Sequence, residues 1–312
     1  MLLLEKWSKY LNSILEHTRK QLFSKFLEVI KLLRIQSWIK NIFIFVPLVF
    51  SKHLFDFNLL VNVFEGFFAF SFTSSFVYVF NDIIDAEKDR HHPQKKFRPI
   101  ASQKINKKEV WLILFILLAI VIIFSLLLSS KFVLMLWLYI IINFAYTIYL
   151  KKIVIVDIFC IAAGFLIRVV SGAFIISVYL SNWLILTTIF LSLFLAVIKR
   201  RVEIANSFNS AIQREVLNDY SLDFIDLIAA ITSASVILSY ALYTVAERTI
   251  EAFGSEHLVF TTIFVIFGIF RYMFLALKKN MGENVAEVFL KDVPMIINLV
   301  LYLSVSLYLI YF

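Results

Sequence analysis

The sequence predicts an all-α, polytopic membrane protein with about nine transmembrane helices in a bundle. Of its 312 residues, 61% are hydrophobic, whereas soluble domains are usually about 45–50% apolar. These residues form nine apolar stretches close to the length of about 20 residues that a membrane-spanning helix needs. The alternating pattern of a membrane β-barrel is absent. Helices are therefore the expected spans, because they satisfy their own backbone hydrogen bonds in lipid.

The first predicted element is an amphipathic, basic segment over residues 1–37. Its apolar residues Leu22, Phe26 and Leu33 recur at helical spacing among Lys and Arg residues, a pattern typical of a helix that lies in the membrane interface. The charges throughout this segment are not those of a cleavable signal peptide. We therefore expect residues 1–37 on the cytoplasmic membrane surface and residues 38–312 as the transmembrane domain.

The membrane topology follows from the loops between the spans. The nine predicted spans cover residues 39–56, 60–80, 110–129, 132–150, 154–178, 183–198, 224–246, 258–277 and 293–312. Of the 30 Lys and Arg residues, 25 lie in one set of loops with the N-terminus, three lie in the opposite loops and two lie within spans. The positive-inside rule then places the N-terminus in the cytoplasm, in a multi-pass protein of the cell membrane. Topology and anionic substrates explain the net charge of +8, so no nucleic-acid partner is expected.

A cluster of carboxylates follows the second predicted span. Asn81, Asp82, Asp85 and Asp89 are separated by intervals of four and seven residues, which place them on one side of a helix. Like charges at this spacing repel one another unless a cation neutralises them. Mg²⁺ prefers oxygen ligands and commonly joins carboxylates to substrate phosphates. We predict that Asp82, Asp85 and Asp89 are catalytic, that all four residues bind metal and that Asn81 also contacts substrate; the alternative is a solvated, charged helix end.

Basic residues surround this cluster in the sequence. Arg90, Lys95 and Arg98 follow the aspartates, and Arg in particular binds phosphate through a two-pronged guanidinium. We predict that they contact substrate, although positive-inside anchoring is the alternative. The neighbouring His91 and His92 are more typical of solvated loop residues than of metal ligands.

A second charged group belongs to the later spans. Lys199, Arg200 and Glu203 stand at the end of the sixth predicted span, and Asp157 and Arg168 lie within the fifth. Cations at a helix end can receive phosphate directly, and intramembrane charges usually face a cavity. We predict that all five contribute to substrate binding. The alternatives are an ordinary basic anchor for the first three and structural ion pairs for Asp157 and Arg168.

Several motifs resemble one known family. They are Asn-Asp-x-x-Asp-x-x-x-Asp from Asn81, Asp-Arg-x-His-Pro from Asp89, Arg-Pro-Ile-Ala from Arg98, and the segments 36–41, 164–168, 193–203 and 239–244. Together they resemble the UbiA-type membrane prenyltransferase superfamily, and the Lys-Arg-Arg-x-Glu segment from Lys199 resembles its decaprenyl-phosphate phosphoribosyltransferase branch. Members of the superfamily usually carry a second aspartate-rich motif after the sixth span, where this chain has cations.

The resemblance implies a nine-helix bundle around a central cavity that opens to the cytoplasmic side. It implies Mg²⁺ as cofactor and transfer of a 5-phosphoribosyl group from phosphoribosyl diphosphate to a polyprenyl phosphate, with release of pyrophosphate. Lys40 and Asn41, in a matching motif, join the expected substrate-binding residues. The alternatives are an aromatic prenyltransferase with an isoprenoid diphosphate donor and a secondary transporter. The oligomeric state stays open, a homo-oligomer included.

Overall fold

A computed structural model of the chain describes residues 2–91, 94–207, 215–282, 288–289 and 291–312. His92 and Pro93 of the predicted loop motif lie outside these ranges. The described residues form helices and no strand, which confirms the all-α prediction. The α-helices of the described ranges, in chain order, are α1 Leu2–Leu33, α2 Val46–Phe50, α3 Phe57–Ile84, α4 Ala86–Arg90, α5 Lys107–Leu127, α6 Ser130–Ile148, α7 Val156–Ile175, α8 Asn182–Ser207, α9 Leu222–Val245, α10 Glu247–Phe253, α11 Thr262–Lys279 and α12 Val293–Tyr311.

Short 3₁₀ helices connect several of these elements. They cover Ile35–Phe45, Lys95–Phe97, Leu150–Lys152, Glu215–Asp219 and His257–Thr261. Within the described ranges, eight helices are long and apolar enough to cross a membrane, and a bent pair of helical segments supplies a ninth if it counts as one span. The chain is thus a multi-pass membrane protein, with eight or nine candidate spans in its described residues against the nine predicted.

The first span differs from the prediction of a single helix over residues 39–56. The chain instead runs as the 3₁₀ helix Ile35–Phe45 and continues into α2, with a bend of 42° between this stretch and the helix before it. Pro47 occupies the first turn of α2, where its missing N–H costs no hydrogen bond. A Cβ atom on Gly172 would lie 2.0 Å from the carbonyl oxygen of Ile44. Glycine in α7 therefore lets the 3₁₀ backbone approach closely.

Two compact units make up the chain. The first combines the residues up to Trp38 with Ser71–Ile123. Within it, the end of α1 is fastened to α3, because Ser75 Oγ donates to the carbonyl oxygen of Leu33 at 2.7 Å and accepts from Trp38 Nε1 at 3.0 Å. Leu22 and Phe26 of α1 are 65% and 59% exposed. They leave the apolar stripe of α1 uncovered, and its location on the membrane surface stays a prediction.

The second unit comprises Ile39–Phe70 and Phe124–Phe312. Its core contains Phe194 and Ile198 of α8, Ile225 of α9 and Leu275 of α11, all of which are fully buried. Large apolar side chains on the outer faces, such as Phe270, are exposed. The helices therefore bury one apolar face against each other and present another to lipid.

Candidate functional site

The aspartate motif lies on a nearly continuous helix in the first unit. Asp85 separates α3 from α4, but its N–H donates to the carbonyl of Asn81 at 2.9 Å, and the N–H of Asp89 donates to the carbonyl of Asp85 at 2.8 Å. Helical hydrogen bonds thus link the residues at the predicted spacing of four. The side chains of Asp82 and Asp89 are buried, with 2% and 5% exposure.

Two guanidinium groups hold these buried carboxylates. Arg98 Nη1 donates to Asp82 Oδ1 at 3.1 Å and to Asp89 Oδ2 at 2.6 Å. Arg34 Nη2 donates to the same oxygen of Asp82 at 2.5 Å. The structure therefore brings together Asp82, Asp89 and Arg98, as the sequence predicts. It adds Arg34, which lies 48 positions before Asp82 and carries no motif that would have revealed it.

The other predicted residues of this loop lie in different surroundings. Arg90 donates to Glu87 at 2.8 Å, and because Glu87 is 80% exposed, this is a surface ion pair of small energetic value. Lys95 is partly buried in the 3₁₀ turn Lys95–Phe97. Of the cations predicted in this loop, Arg98 is the one that contacts the two buried aspartates.

The donor chemistry of the motif fits a hard cation such as Mg²⁺. Asn81 offers an amide oxygen, and Asp82, Asp85 and Asp89 offer carboxylate oxygens, the ligands that Mg²⁺ prefers. In the part of the chain that the structure describes, no three acidic, His or Cys side chains already converge as a metal site. Guanidinium groups contact Asp82 and Asp89 instead, so a cation would share these oxygens with Arg34 and Arg98.

The second cluster is centred on Arg200 in the second unit. Arg200 is fully buried, and its Nε donates to Asp157 Oδ2 at 2.5 Å. Its Nη1 donates to Glu203, and its Nη2 donates to the hydroxyl of Tyr146 at 3.0 Å. Sequence reasoning assigns Arg200 to substrate phosphate, and that role stays a prediction. In the structure, its guanidinium links α8 to Asp157 on α7 and to Tyr146 on α6.

Tyr220 completes this network and has no counterpart in the sequence-based prediction. Its hydroxyl donates to Asp157 Oδ1 at 2.7 Å and accepts from the N–H of Ile155 at 2.5 Å. Ile155 has a φ of 70°, an unfavourable conformation for a β-branched residue, and the hydrogen bond to Tyr220 supports it. Burial, followed by the hydrogen bond to Asp157, raises the pKa of Tyr220, so the phenol stays protonated and able to donate.

Lys199 is the accessible cation of this cluster. Its side chain is 33% exposed, and its Nζ lies 3.9 Å from Glu203 Oε1, so the two residues share a helix face as predicted. Lys40 lies close enough for its charge to act on Lys199. Two ammonium groups that repel each other gain stability from an anion. The accessible part of this cluster therefore suits a phosphate group.

Arg168 and Asn41 form a third polar contact in the same unit. Arg168 Nε donates to Asn41 Oδ1 at 2.7 Å, and its two remaining nitrogens donate to the carbonyl of Gly164 and the hydroxyl of Tyr139. Both predicted residues are buried. The rings of Phe70, Phe165 and Tyr139 lie within 5.7 Å of the guanidinium, at distances that permit cation–π attraction.

Comparison with known proteins places the chain in a family. The sequence profile of the UbiA prenyltransferase family matches residues 42–203, just over half of the chain. The chain is 28% identical over 275 residues to a decaprenyl-phosphate phosphoribosyltransferase from Mycolicibacterium smegmatis, covering 85% of this chain and 86% of that protein. It is 36% identical over 171 residues to the Sinorhizobium fredii protein y4nM, covering 55% of this chain and spanning only 33% of the length of y4nM.

The fold has solved counterparts. A UbiA homolog from Archaeoglobus fulgidus, bound to GPP and Mg²⁺, matches with a TM-score of 0.68 at 17% identity and covers 91% of this chain and 100% of that one. At this identity the match concerns the fold alone. Taken with the family profile and the phosphoribosyltransferase relative, it identifies the chain as a membrane-embedded transferase that belongs to the UbiA prenyltransferase family.

Proposed function

We propose that this transferase moves a 5-phosphoribosyl group from phosphoribosyl diphosphate to a polyprenyl phosphate of the decaprenyl type. A phosphate oxygen of the lipid forms a bond to the anomeric carbon of the ribose, while the bond from that carbon to the diphosphate oxygen breaks. Pyrophosphate leaves with the electron pair. The observation that carries the proposal is the basic end of α8, where Lys199 is accessible beside Glu203.

The basic end of α8 supports a sugar phosphate donor over an isoprenoid diphosphate held through a second metal. Lys199 and Lys40 are both basic residues of this end, and the Nζ of Lys199 lies 3.9 Å from Glu203 Oε1. Phosphate binds such ammonium groups directly. The buried hydrogen bonds of Asp157 with Arg200 and Tyr220 hold α8 in place, and α8 is the helix that carries Lys199.

The aspartate motif has the complementary role in the proposal. Asn81, Asp82, Asp85 and Asp89 would hold Mg²⁺, which, when bound, stabilises the negative charge that develops on departing pyrophosphate. Arg98 keeps the carboxylates of Asp82 and Asp89 in place. The acceptor phosphate is already anionic near neutral pH and needs no strong general base, so positioning and electrostatics supply most of the rate.

The substrates also suit a membrane location. The apolar faces of the spans would take the prenyl chain, since each buried CH₂ contributes about 0.8 kcal/mol. Phosphoribosyl diphosphate is a water-soluble anion. We therefore propose that the active site faces the cytoplasm in the cell membrane, on the side where 25 of the 30 Lys and Arg residues are predicted.

A reconstituted assay tests the proposal. Purified protein is incubated with Mg²⁺, phosphoribosyl diphosphate and decaprenyl phosphate, and phosphoribosyl lipid and pyrophosphate are measured. Product should form, and removal of the metal with EDTA should abolish it. Turnover only with geranyl diphosphate and an aromatic acceptor would instead support the aromatic prenyltransferase alternative and overturn the phosphoribosyl assignment.

Two variants test the proposed cation-binding and phosphate-binding roles separately. Asp85→Asn should reduce product formation by at least 100-fold, because the cation loses a ligand. Lys199→Gln should raise the KM of a phosphate-bearing substrate by roughly tenfold, since one charge-assisted hydrogen bond is worth about 1.5–3 kcal/mol. Lys278→Gln removes an exposed Lys at the end of α11 and serves as the matched control with unchanged kinetics. An unaltered KM for both substrates in Lys199→Gln would contradict the phosphate role of Lys199.

A further inference from the structure

Arg34 stands where the N-terminal helix ends, outside the residues that match the family profile. Its φ of 50° turns the chain sharply after Leu33. The guanidinium lies over the ring of Tyr78, 4.9 Å from its centroid, and donates to Asp82 at 2.5 Å. Its side chain is 26% exposed. The N-terminal segment thus sends a charged group directly to a residue of the aspartate motif.

The backbone that carries Arg34 is fastened on both sides. Before it, the carbonyl of Leu33 accepts from Ser75, and after it, Trp38 donates to the same hydroxyl. Further back on α1, Glu28 accepts from Lys104 at 2.9 Å, and Lys25 pairs with Glu109. These contacts hold α1 against the segment that also contains Arg98. These contacts therefore hold the backbone of Arg34 at a position from which its guanidinium reaches Asp82.

Each of the two buried carboxylates at this point already contacts a guanidinium group. Asp82 and Asp89 contribute two buried carboxylates, and Arg34 and Arg98 contribute two guanidinium groups. Both guanidinium groups contact the same oxygen of Asp82. A divalent cation that bound this carboxylate would therefore be repelled by the two guanidinium groups, because like charges a few ångströms apart repel one another.

We propose that Arg34 is a positioning residue of the aspartate site, which fixes the Asp82 carboxylate and lowers the affinity of the site for divalent cations. The inference rests on the proposed function only in taking the aspartates as cation ligands. It makes the N-terminal helix part of the site. A residue that only anchored α1 would not change the affinity of the site for divalent cations, so this affinity distinguishes the two roles of Arg34.

Binding of Mn²⁺ to the full-length protein in detergent, without substrates, tests this role by electron paramagnetic resonance. Mn²⁺ takes the same oxygen ligands as Mg²⁺. Arg34→Gln should bind Mn²⁺ at least tenfold more tightly than the wild type, because it removes the competing charge. Arg34→Lys keeps the charge and should stay within about threefold of the wild type. Arg19→Gln removes an exposed Arg from the same helix and should leave the affinity unchanged.

Arg34→Met provides a second neutral variant that keeps an apolar contact with the Tyr78 ring, in case Arg34→Gln does not fold. A double-mutant cycle with Asp82→Asn locates the effect, which should shrink when the carboxylate is absent. Unchanged or weaker Mn²⁺ binding in both neutral variants would overturn the proposal, as would an equal gain in Arg19→Gln. Phosphoribosyl transfer is measured separately. The Mn²⁺ affinities therefore test the role of Arg34 even if the proposed reaction is not observed.

Discussion

Neighbouring residues on one turn of α8 have opposite environments. Arg200 is fully buried and donates to Asp157, Glu203 and Tyr146, whereas Lys199 keeps a third of its side chain exposed. The sequence presents both as cations at a span end and gives no reason to separate them. The difference arises from partners on α6 and α7, which no local spacing reveals.

We predict that Arg200→Gln destabilises the protein by about 3–5 kcal/mol, because it leaves buried carboxylates without their cation. Lys199→Gln should cost much less stability than Arg200→Gln, because Lys199 is partly exposed and Glu203 keeps its contact with Arg200, while it impairs the reaction. Thermal unfolding of both variants, followed by size-exclusion chromatography in detergent, measures the contrast. Equal losses of stability in the two variants would mean that the buried network does not support α8.

The contact of Arg34 with Asp82 could not be predicted from the sequence. The aspartates could be predicted because four-residue spacing places carboxylates on one helix face. Arg34 lies in a segment whose composition predicts only an amphipathic basic helix, and Asp82 is 48 residues away. A contact of this kind depends on tertiary packing, so the sequence alone does not reveal it.

At the level of elements, the aspartate and basic motifs lie on helices that are longer than their apolar stretches. The second predicted span, residues 60–80, is α3 Phe57–Ile84, and the sixth, residues 183–198, is α8 Asn182–Ser207. Hydropathy marks only the part of a helix that lies in lipid. Asn81, Asp82, Lys199 and Glu203 therefore have the fixed directions of helical side chains, which a loop would not give them.

The 3₁₀ segment Ile35–Phe45 is the element that hydropathy misrepresents. It passes for a span only together with α2 and the helix before it, and its geometry depends on the close approach of the Ile44 carbonyl to Gly172. Since this contact crosses 128 positions of the chain, a periodic pattern does not predict it. The prediction of a single helix over residues 39–56 is therefore wrong, and the stretch is a span only if the bent pair counts as one.

We predict that Gly172→Ala destabilises the protein by about 1–3 kcal/mol, because the new Cβ would overlap the backbone oxygen of Ile44, and overpacking costs this much. Gly66→Ala is the control within a helix. There the new Cβ meets the end of the Ile175 side chain, which can rotate away, and the better helix propensity of Ala offsets part of the cost. Comparable melting temperatures for the two variants would contradict the backbone contact.

For the whole molecule, the number of spans could be predicted because each one must be apolar over most of its length. The orientation is a separate prediction from the positive charges, which favour a cytoplasmic N-terminus and an external C-terminus. Apolar composition alone does not decide which residues face lipid or neighbouring helices. Phe270 and Leu275 in α11, for example, are equally apolar, but the first is exposed and the second is buried.

Cysteine labelling in intact cells tests the orientation. In a Cys160→Ser background, which removes the single native cysteine, Asn58→Cys lies at the start of α3 on the predicted outer side. Lys279→Cys lies at the end of α11 on the predicted inner side, and both positions are exposed. A membrane-impermeant maleimide should label the first variant at least tenfold more than the second before lysis, and both after lysis. The reverse pattern would overturn the topology.

Arg168 has a consequence for the barrier function of the bilayer. Its hydrogen-bond acceptors within the described residues are all neutral groups, and aromatic rings surround its guanidinium. Because the guanidinium is a cation, this part of α7 places a positive charge among neutral groups. A buried positive charge of this kind would oppose the entry of other cations between α7 and its neighbours. A membrane enzyme with polar groups among its spans can in this way avoid becoming a leak for the ion gradients on which its cell depends.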